Sequence, residues 1–282
     1  MAMQPSISLN NIGGSLAELG KPAEAMVSHE KALAIWQKLV DANSNDIMFQ
    51  FWLAFCYKEI GEVLAQTGKP EEALKSHEKA RALLVKPTKA NPAFHWVQSE
   101  RADSLVSTGL LLSVSGETEK ALAACEESLA IRQKLTDAHS GLAMLRDEVA
   151  DSLKGLGSVQ RRAGRNAEAS ASFRRAIALV EQLPTRTPRD YYSLACCHSQ
   201  LAGIAAESGS GLTVEQRMAE TERAMAALRH AVAGGYGGIY HLRTDASLDA
   251  LRPRADFKKL VKEVEENTSK TLLKVVTRPR PK

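Results

Sequence analysis

Three groups of side chains in this 282-residue sequence are of types that could do chemistry. His29 and His77 stand 48 residues apart, and imidazoles at a fixed step are one way to build a ladder of metal ligands. A zinc site needs several such ligands converging tetrahedrally. The same position one and two steps further on holds Cys125 and Phe173, so the series is assigned to the core. Cys196, Cys197 and His198 form a local thiol–imidazole cluster. Neighbours on a helix project about 100° apart, which keeps the three from meeting one metal, and they read as buried structural residues. Lys154, Arg161 and Arg162 share a helix face at i, i+7 and i+8, a basic patch suited to an acidic segment of a partner. The sequence holds no G-x-G-x-x-G after a strand, no Gly-Lys-Ser/Thr phosphate loop, no H-E-x-x-H and no kinase catalytic loop. It therefore predicts a protein that is not an enzyme and carries neither cofactor nor metal.

The elements that position these groups follow from composition and repetition. Aromatic residues make up 5% of the chain and hydrophobic ones 44%, with Ala, Leu, Glu and Lys abundant, which points to helices and excludes a β-rich fold. The net charge of +4 is too small to imply nucleic-acid binding. It resolves into +6 on Arg252–Lys282 and −2 on the residues before, and the basic end lacks the interleaved aromatics that stack on bases. Neither a secretory leader nor a membrane span is legible. Four cysteines without C-x-x-C spacing suit a reducing cytoplasm.

A 48-residue step organises most of the chain. Gly20-Lys-Pro-Ala-Glu-Ala25 returns as Gly68-Lys-Pro-Glu-Glu-Ala73, Gly116-Glu-Thr-Glu-Lys-Ala121 and Gly164-Arg-Asn-Ala-Glu-Ala169. Gly13, Gly61, Gly109 and Gly157 form a second series, and Ala32, Ala80, Ser128 and Ala176 a third. Gly at the turn predicts a left-handed helix end, with Pro22 or Pro70 starting the next helix. Gly on the first helix of each pair is expected to face Ala on the second where the two cross closely. Large apolar residues at helical spacing lie between, such as Tyr57, Ile60 and Leu64. By register, the first helix of unit one should begin eight to ten residues before the sequence allows.

The pattern Tyr57, Ile60-Gly61, Leu64, Gly68, Ala73, His77, Ala80 resembles the tetratricopeptide repeat, in a long form with helices near 20 residues. Phrases such as Lys31-Ala-Leu-Ala-Ile-Trp-Gln-Lys-Leu resemble the arrays attached to bacterial serine/threonine protein kinases. The resemblance implies an all-α, right-handed superhelical solenoid of about five helix pairs over residues 1–234, with turns near 20, 68, 116, 164 and 208–212. A capping element over 235–266 and a basic, disordered tail over 267–282 complete the expected organisation. It also implies a groove lined by first helices, at Asn10, Lys58, Glu62, Gln66, Val106, Leu110, Lys154, Ser158, Arg161 and Arg162. The expected function is a cytoplasmic, non-catalytic scaffold holding a peptide or helix of another protein, acidic in character, with self-association through the N-terminal end and no nucleic-acid or membrane partner. The alternative is the regulatory arm of a bacterial kinase signalling system, encoded apart from the kinase.

Overall fold

Four glycines decide where the chain reverses. Gly20, Gly68, Gly116 and Gly164 have φ of 72°, 75°, 81° and 75°, in the left-handed region that a Cβ disfavours. After each, a backbone N–H reaches back five residues: Lys21 to Leu16, Lys69 to Leu64, Glu117 to Leu112 and Arg165 to Gln160, all at 2.9 Å. These bonds satisfy carbonyls that a helix end leaves open. The next helices then begin at Pro22, Pro70, Thr118 and Asn166.

The computed structural model describes residues 3–90, 94–139, 141–205 and 213–276. Every regular element among them is a helix, and they form two compact units, Met1–Leu183 and Pro184–Lys282. The first unit holds α1 (Met3–Glu18), α2 (Pro22–Ala42), α3 (Ile47–Gln66), α4 (Pro70–Ala90), α5 (His95–Val114), α6 (Thr118–Ala138), α7 (Ala143–Arg162) and α8 (Asn166–Glu181). They pair as α1/α2, α3/α4, α5/α6 and α7/α8, and each pair stacks on the next through its own small core. Ala32 and Trp36 of α2 meet Leu53 and Cys56 of α3; Ala121, Leu122 and Cys125 of α6 meet Leu156 and Val159 of α7. The architecture is an all-α helical solenoid, in which stability accrues pair by pair. α3, α5 and α7 start at Ile47, His95 and Ala143, so the 48-residue step puts the equivalent start for α1 two positions ahead of Met1, where the sequence reading expected eight to ten.

The helix crossings differ from the expected facing of Gly and Ala. A Cβ on Gly13, Gly61, Gly109 or Gly157 would lie 2.6, 2.8, 2.5 or 2.8 Å from the side chain of His29, His77, Cys125 or Phe173. Each glycine is thus a notch that admits the bulky second-helix residue. The small series serves a separate contact: Ser128 Oγ donates to Ala102 O at 2.9 Å, against the α5 backbone seven residues before Gly109.

The second unit contains α9 (Pro188–Ala205), α10 (Val214–Ala233), α11 (Ile239–Thr244), a 3-10 turn at Ala246–Leu248, and α12 (Ala255–Val276). Thr213 caps α10, accepting from Gln216 N–H at 3.2 Å while its own N–H reaches Gln216 Oε1 at 2.8 Å. Ala224, Leu228 and Ala231 are fully buried, as their register requires. Beyond Gly235, the chain runs along α9: Tyr236 stacks on Tyr192 at 4.4 Å, Tyr192 O–H donates to Asp245 at 2.7 Å, and Gln200 Nε2 donates to Ala246 O at 3.4 Å. This covering leaves little of α9 in contact with solvent. It also explains why residues 184–234 group with the chain that follows them, where the sequence placed the division at 234. The tail expected to be disordered from Asn267 is helical through Val276, because α12 continues. Residues 277–282 and the expected turn at 208–212 lie outside the described residues.

Candidate partner-binding face

Within the first unit the first helices stand side by side, α1 next to α3, α3 next to α5 and α5 next to α7. Polar bonds link them across the row. Lys58 Nζ lies 3.3 Å from Glu100 Oε1, Ser107 Oγ donates to Glu62 Oε1 at 2.5 Å, and Ser99 Oγ donates to Glu148 Oε2 at 2.5 Å. A 48-residue register then places equivalent residues in tiers. Lys58, Val106 and Lys154 form one tier, Glu62, Leu110 and Ser158 the next, and Gln66, Val114 and Arg162 the one nearest the turns.

Most of the expected groove residues are at least partly exposed on this row. Lys58, Glu62, Gln66, Val106, Lys154 and Ser158 are half-buried, and Leu110 and Arg162 are exposed. Val106 is partly engaged by packing, since a Cβ on Gly155 would sit 2.6 Å from its Cγ1. Asn10 is a correction: it is 1% exposed, its Nδ2 donates to Cys56 Sγ at 3.1 Å and its Oδ1 lies 3.3 Å from His29 Nδ1. A short amide beside a buried imidazole and thiol satisfies them better than it could serve a ligand. The basic patch on α7 is smaller than expected. Lys154 pairs with Asp151 at 2.7 Å, and Arg161 is half-buried at a register where Ala17 and Ser113 are buried. Of the three cations, Arg162 is the exposed one.

Extending the same stripe one and two turns toward the start of α3 adds Phe55 and Phe51, whose sibling positions on α5 hold Asp103 and Ser99. Sequence reasoning missed these residues, although spacings of three and seven from Lys58 were a sufficient signal. Phe55 packs against Phe51 at 6.4 Å and Trp52 at 5.6 Å, and Phe51 meets the edge of Trp96 at 4.6 Å. Lys58 Nζ lies 4.6 Å over the Phe55 ring and 3.4 Å from Glu59. Burial alone would lower the Lys58 pKa, but Glu100, Glu59, Asp103 and Glu62 outweigh it and hold the ammonium above its usual range. Burial pushes the Glu100 carboxyl up to about 7, against the pull of Lys58.

The other chemically suggestive residues are internal. His29 and His77 are fully buried, and burial lowers both imidazole pKa values, His77 to about 4. Burial raises the Cys56 and Cys125 thiols to about 12. Cys196, Cys197 and His198 are buried on α9, with His198 Nδ1 2.6 Å from Glu220. No group of three or more His, Cys, Asp or Glu among the described residues is arranged to hold a metal.

Family models described as tetratricopeptide repeat match residues 5–84 and 152–187. These helix pairs are tetratricopeptide repeats. Two solved structures share the tetratricopeptide fold with this chain. One comprises nearly identical TPR-like repeats assigned to a kinesin light chain of Podosopora anserina, at 17% identity over 80% of this chain and 97% of that one, with a TM-score of 0.52. The other is a Rap protein complexed with competence and sporulation factor, at 13% identity over 96% of this chain and 71% of that one, with a TM-score of 0.60. At such identities the likeness concerns the fold. A search of curated proteins found no match. No described helix is long and apolar enough to cross a membrane.

Proposed function

We propose that this tetratricopeptide repeat protein is a non-catalytic scaffold that holds a peptide or helix of a partner protein against the first-helix row of α3, α5 and α7. Repeats of this fold serve protein–protein interaction generally and are typically non-catalytic. The observation that carries the finer reading is the tiered row itself. Leu110 and Val114 are 38% and 63% exposed on a face whose neighbouring helices supply Glu62 and Ser158, and Gln66 and Arg162, at matched heights. An apolar strip between polar flanks is how a groove takes an extended or helical segment. The kinase-arm reading continues to rest on the repeat phrases of the sequence.

A photo-crosslinking amino acid placed at Leu110 or Ser158 is expected to capture one discrete partner from an extract of the source cell. The same group at Glu126, exposed on second helix α6, is expected not to. Equal capture at both faces, or capture from α6 alone, would remove the first-helix row as the binding face.

A further inference from the structure

The sequence led to an acidic partner, read from Lys154, Arg161 and Arg162. The side chains on the row carry the opposite charge where the aromatic residues are. Around Lys58 stand Glu59, Glu62, Glu100 and Asp103, four carboxylates to two cations once the Arg132 guanidinium that meets Asp103 is included. Lys58 and Glu100 are mutually engaged and nearly buried, with side-chain exposures of 14% and 7%. The two outer carboxylates are the accessible ones: the Glu62 side chain is 45% exposed and that of Asp103 44%. Asp103 is met from behind by the buried Arg132 of α6, and Glu62 is held by the Ser107 hydroxyl. Both therefore have fixed positions and still face outward.

Two further observations concern what such a surface would accept. His77, fully buried behind α3, has neither ring nitrogen hydrogen-bonded, and its Nε2 stands 4.0 Å from Glu62 Oε1. A neutral imidazole at this distance gives Glu62 no positive charge, and burial raises the Glu62 pKa against the pull of the Ser107 hydroxyl and Lys58, so the carboxyl gains from a further cation. The half-buried ring of Phe55 lies three residues from Lys58 on the same stripe, and Lys58 shows that a cation is held against that ring by carboxylates on both helices. The resident ammonium thus demonstrates the local chemistry, while the carboxylates of Glu62 and Asp103 remain accessible beside it, and carboxylates still outnumber cations in the cluster.

We propose that the α3/α5 part of the row binds a basic segment of a partner protein, with a lysine or arginine side chain set between Glu62 and Asp103 and its aliphatic stem along Phe55. This rests on the groove reading above and specifies the partner's charge. Charge complementarity selects the occupant, since an acidic segment would bring like charges against outward carboxylates already in excess. The exposed Leu110 accepts apolar residues flanking the basic ones.

The test uses the full chain and fluorescein-labelled twelve-residue peptides alternating Leu with Lys, Gln or Glu, followed by anisotropy at low and high salt. The Lys peptide is expected to bind, to weaken at least tenfold with Glu62→Lys and less with Glu62→Gln, and to lose affinity as salt rises. Circular dichroism of both variants checks that the fold persists, and Glu126→Lys on α6 serves as the control that leaves affinity unchanged. Preference for the Glu peptide, abolished by Arg162→Glu, would overturn the basic-segment proposal while leaving the groove reading intact. Lys-peptide binding that responds equally to Glu62→Lys and Glu126→Lys would overturn the site. Failure of all three peptides to respond to any first-helix substitution would overturn both readings.

Discussion

Adding one methyl group at Gly109 should destabilise the first unit. An alanine Cβ there would stand 2.5 Å from Cys125 Sγ and 2.9 Å from the Ala121 carbonyl oxygen, where ordinary contact needs 3.4–4 Å. The thiol is the end of a short side chain with little room to turn, since Cys125 is fully buried. The carbonyl belongs to the α6 backbone and moves only if the helix moves. Overpacking of this kind costs about 1–3 kcal/mol, whereas Gly to Ala in a helix interior returns up to about 1 kcal/mol of propensity. The net expectation for Gly109→Ala is a loss of about 1–2 kcal/mol, read as a lower urea midpoint by far-UV circular dichroism. Cys125→Ala separates the two contacts. If the sulfur dominates, the double variant should lose less than the two single losses combined, by about 1 kcal/mol. Gly116→Ala is the control without a clash: nothing lies within 4 Å of its Cβ, and the cost, about 1–2 kcal/mol, comes from left-handed strain alone. A Gly109→Ala protein as stable as the parent, or strict additivity with Cys125→Ala, would refute the notch interpretation of the glycine series.

Three further outcomes follow from buried polar groups. The His77 pKa of about 4 lies below its unfolded value of 6.5, so stability is complete above pH 6.5 and is lost as pH falls toward 4, by about 3 kcal/mol in all. His77→Phe, which copies Phe173 of the fourth pair, should flatten that limb of a stability–pH profile, and an unchanged slope would assign it to other groups. Lys58→Met leaves Glu100 without its counter-ion and should cost about 3 kcal/mol at pH 8. Because the Glu100 carboxyl already sits near 7, its protonation should shrink that cost by pH 5, and Lys58→Met/Glu100→Gln should recover most of it. A pH-independent loss would contradict the pairing. Arg132, 2% exposed, donates to Ser152 Oγ and Glu148 O at 2.9 Å and meets Asp103. Arg132→Leu should therefore lower stability by about 2–4 kcal/mol despite matching Leu84 at the same register, and a neutral result in thermal unfolding would show the network to be dispensable.

The turns and helix starts were legible from sequence because one residue type decides each of them locally. A left-handed φ selects Gly wherever it occurs, and a first helical position tolerates Pro, so Gly20 and Pro22 can be read without knowing their neighbours in space. The register of Ala224, Leu228 and Ala231 was readable for a related reason, since burial follows helical periodicity once the repeat is recognised. What a given notch admits was not readable, because it depends on which face of the opposing helix arrives there. Gly61 receives His77 and not Ala80, a matter of helix rotation that spacing leaves open.

The candidate face divides in the same way. Its row of first-helix positions came from periodicity and family resemblance, but its charge depends on contacts between helices, such as Lys58 with Glu100 and Arg132 with Asp103. Lys58 reads as a groove residue in sequence; in the structure Glu100 at 3.3 Å and Glu59 at 3.4 Å engage it, and Glu62 and Asp103 are the more accessible carboxylates. Asn10 reads as a groove residue until Cys56 and His29 close over it. Sequence by itself determined the helix pairs, their turns and their order, because these depend on local conformational preference. Tertiary structure alone decided which polar side chains are consumed by one another and which remain accessible, because charge pairing and burial depend on distance in space.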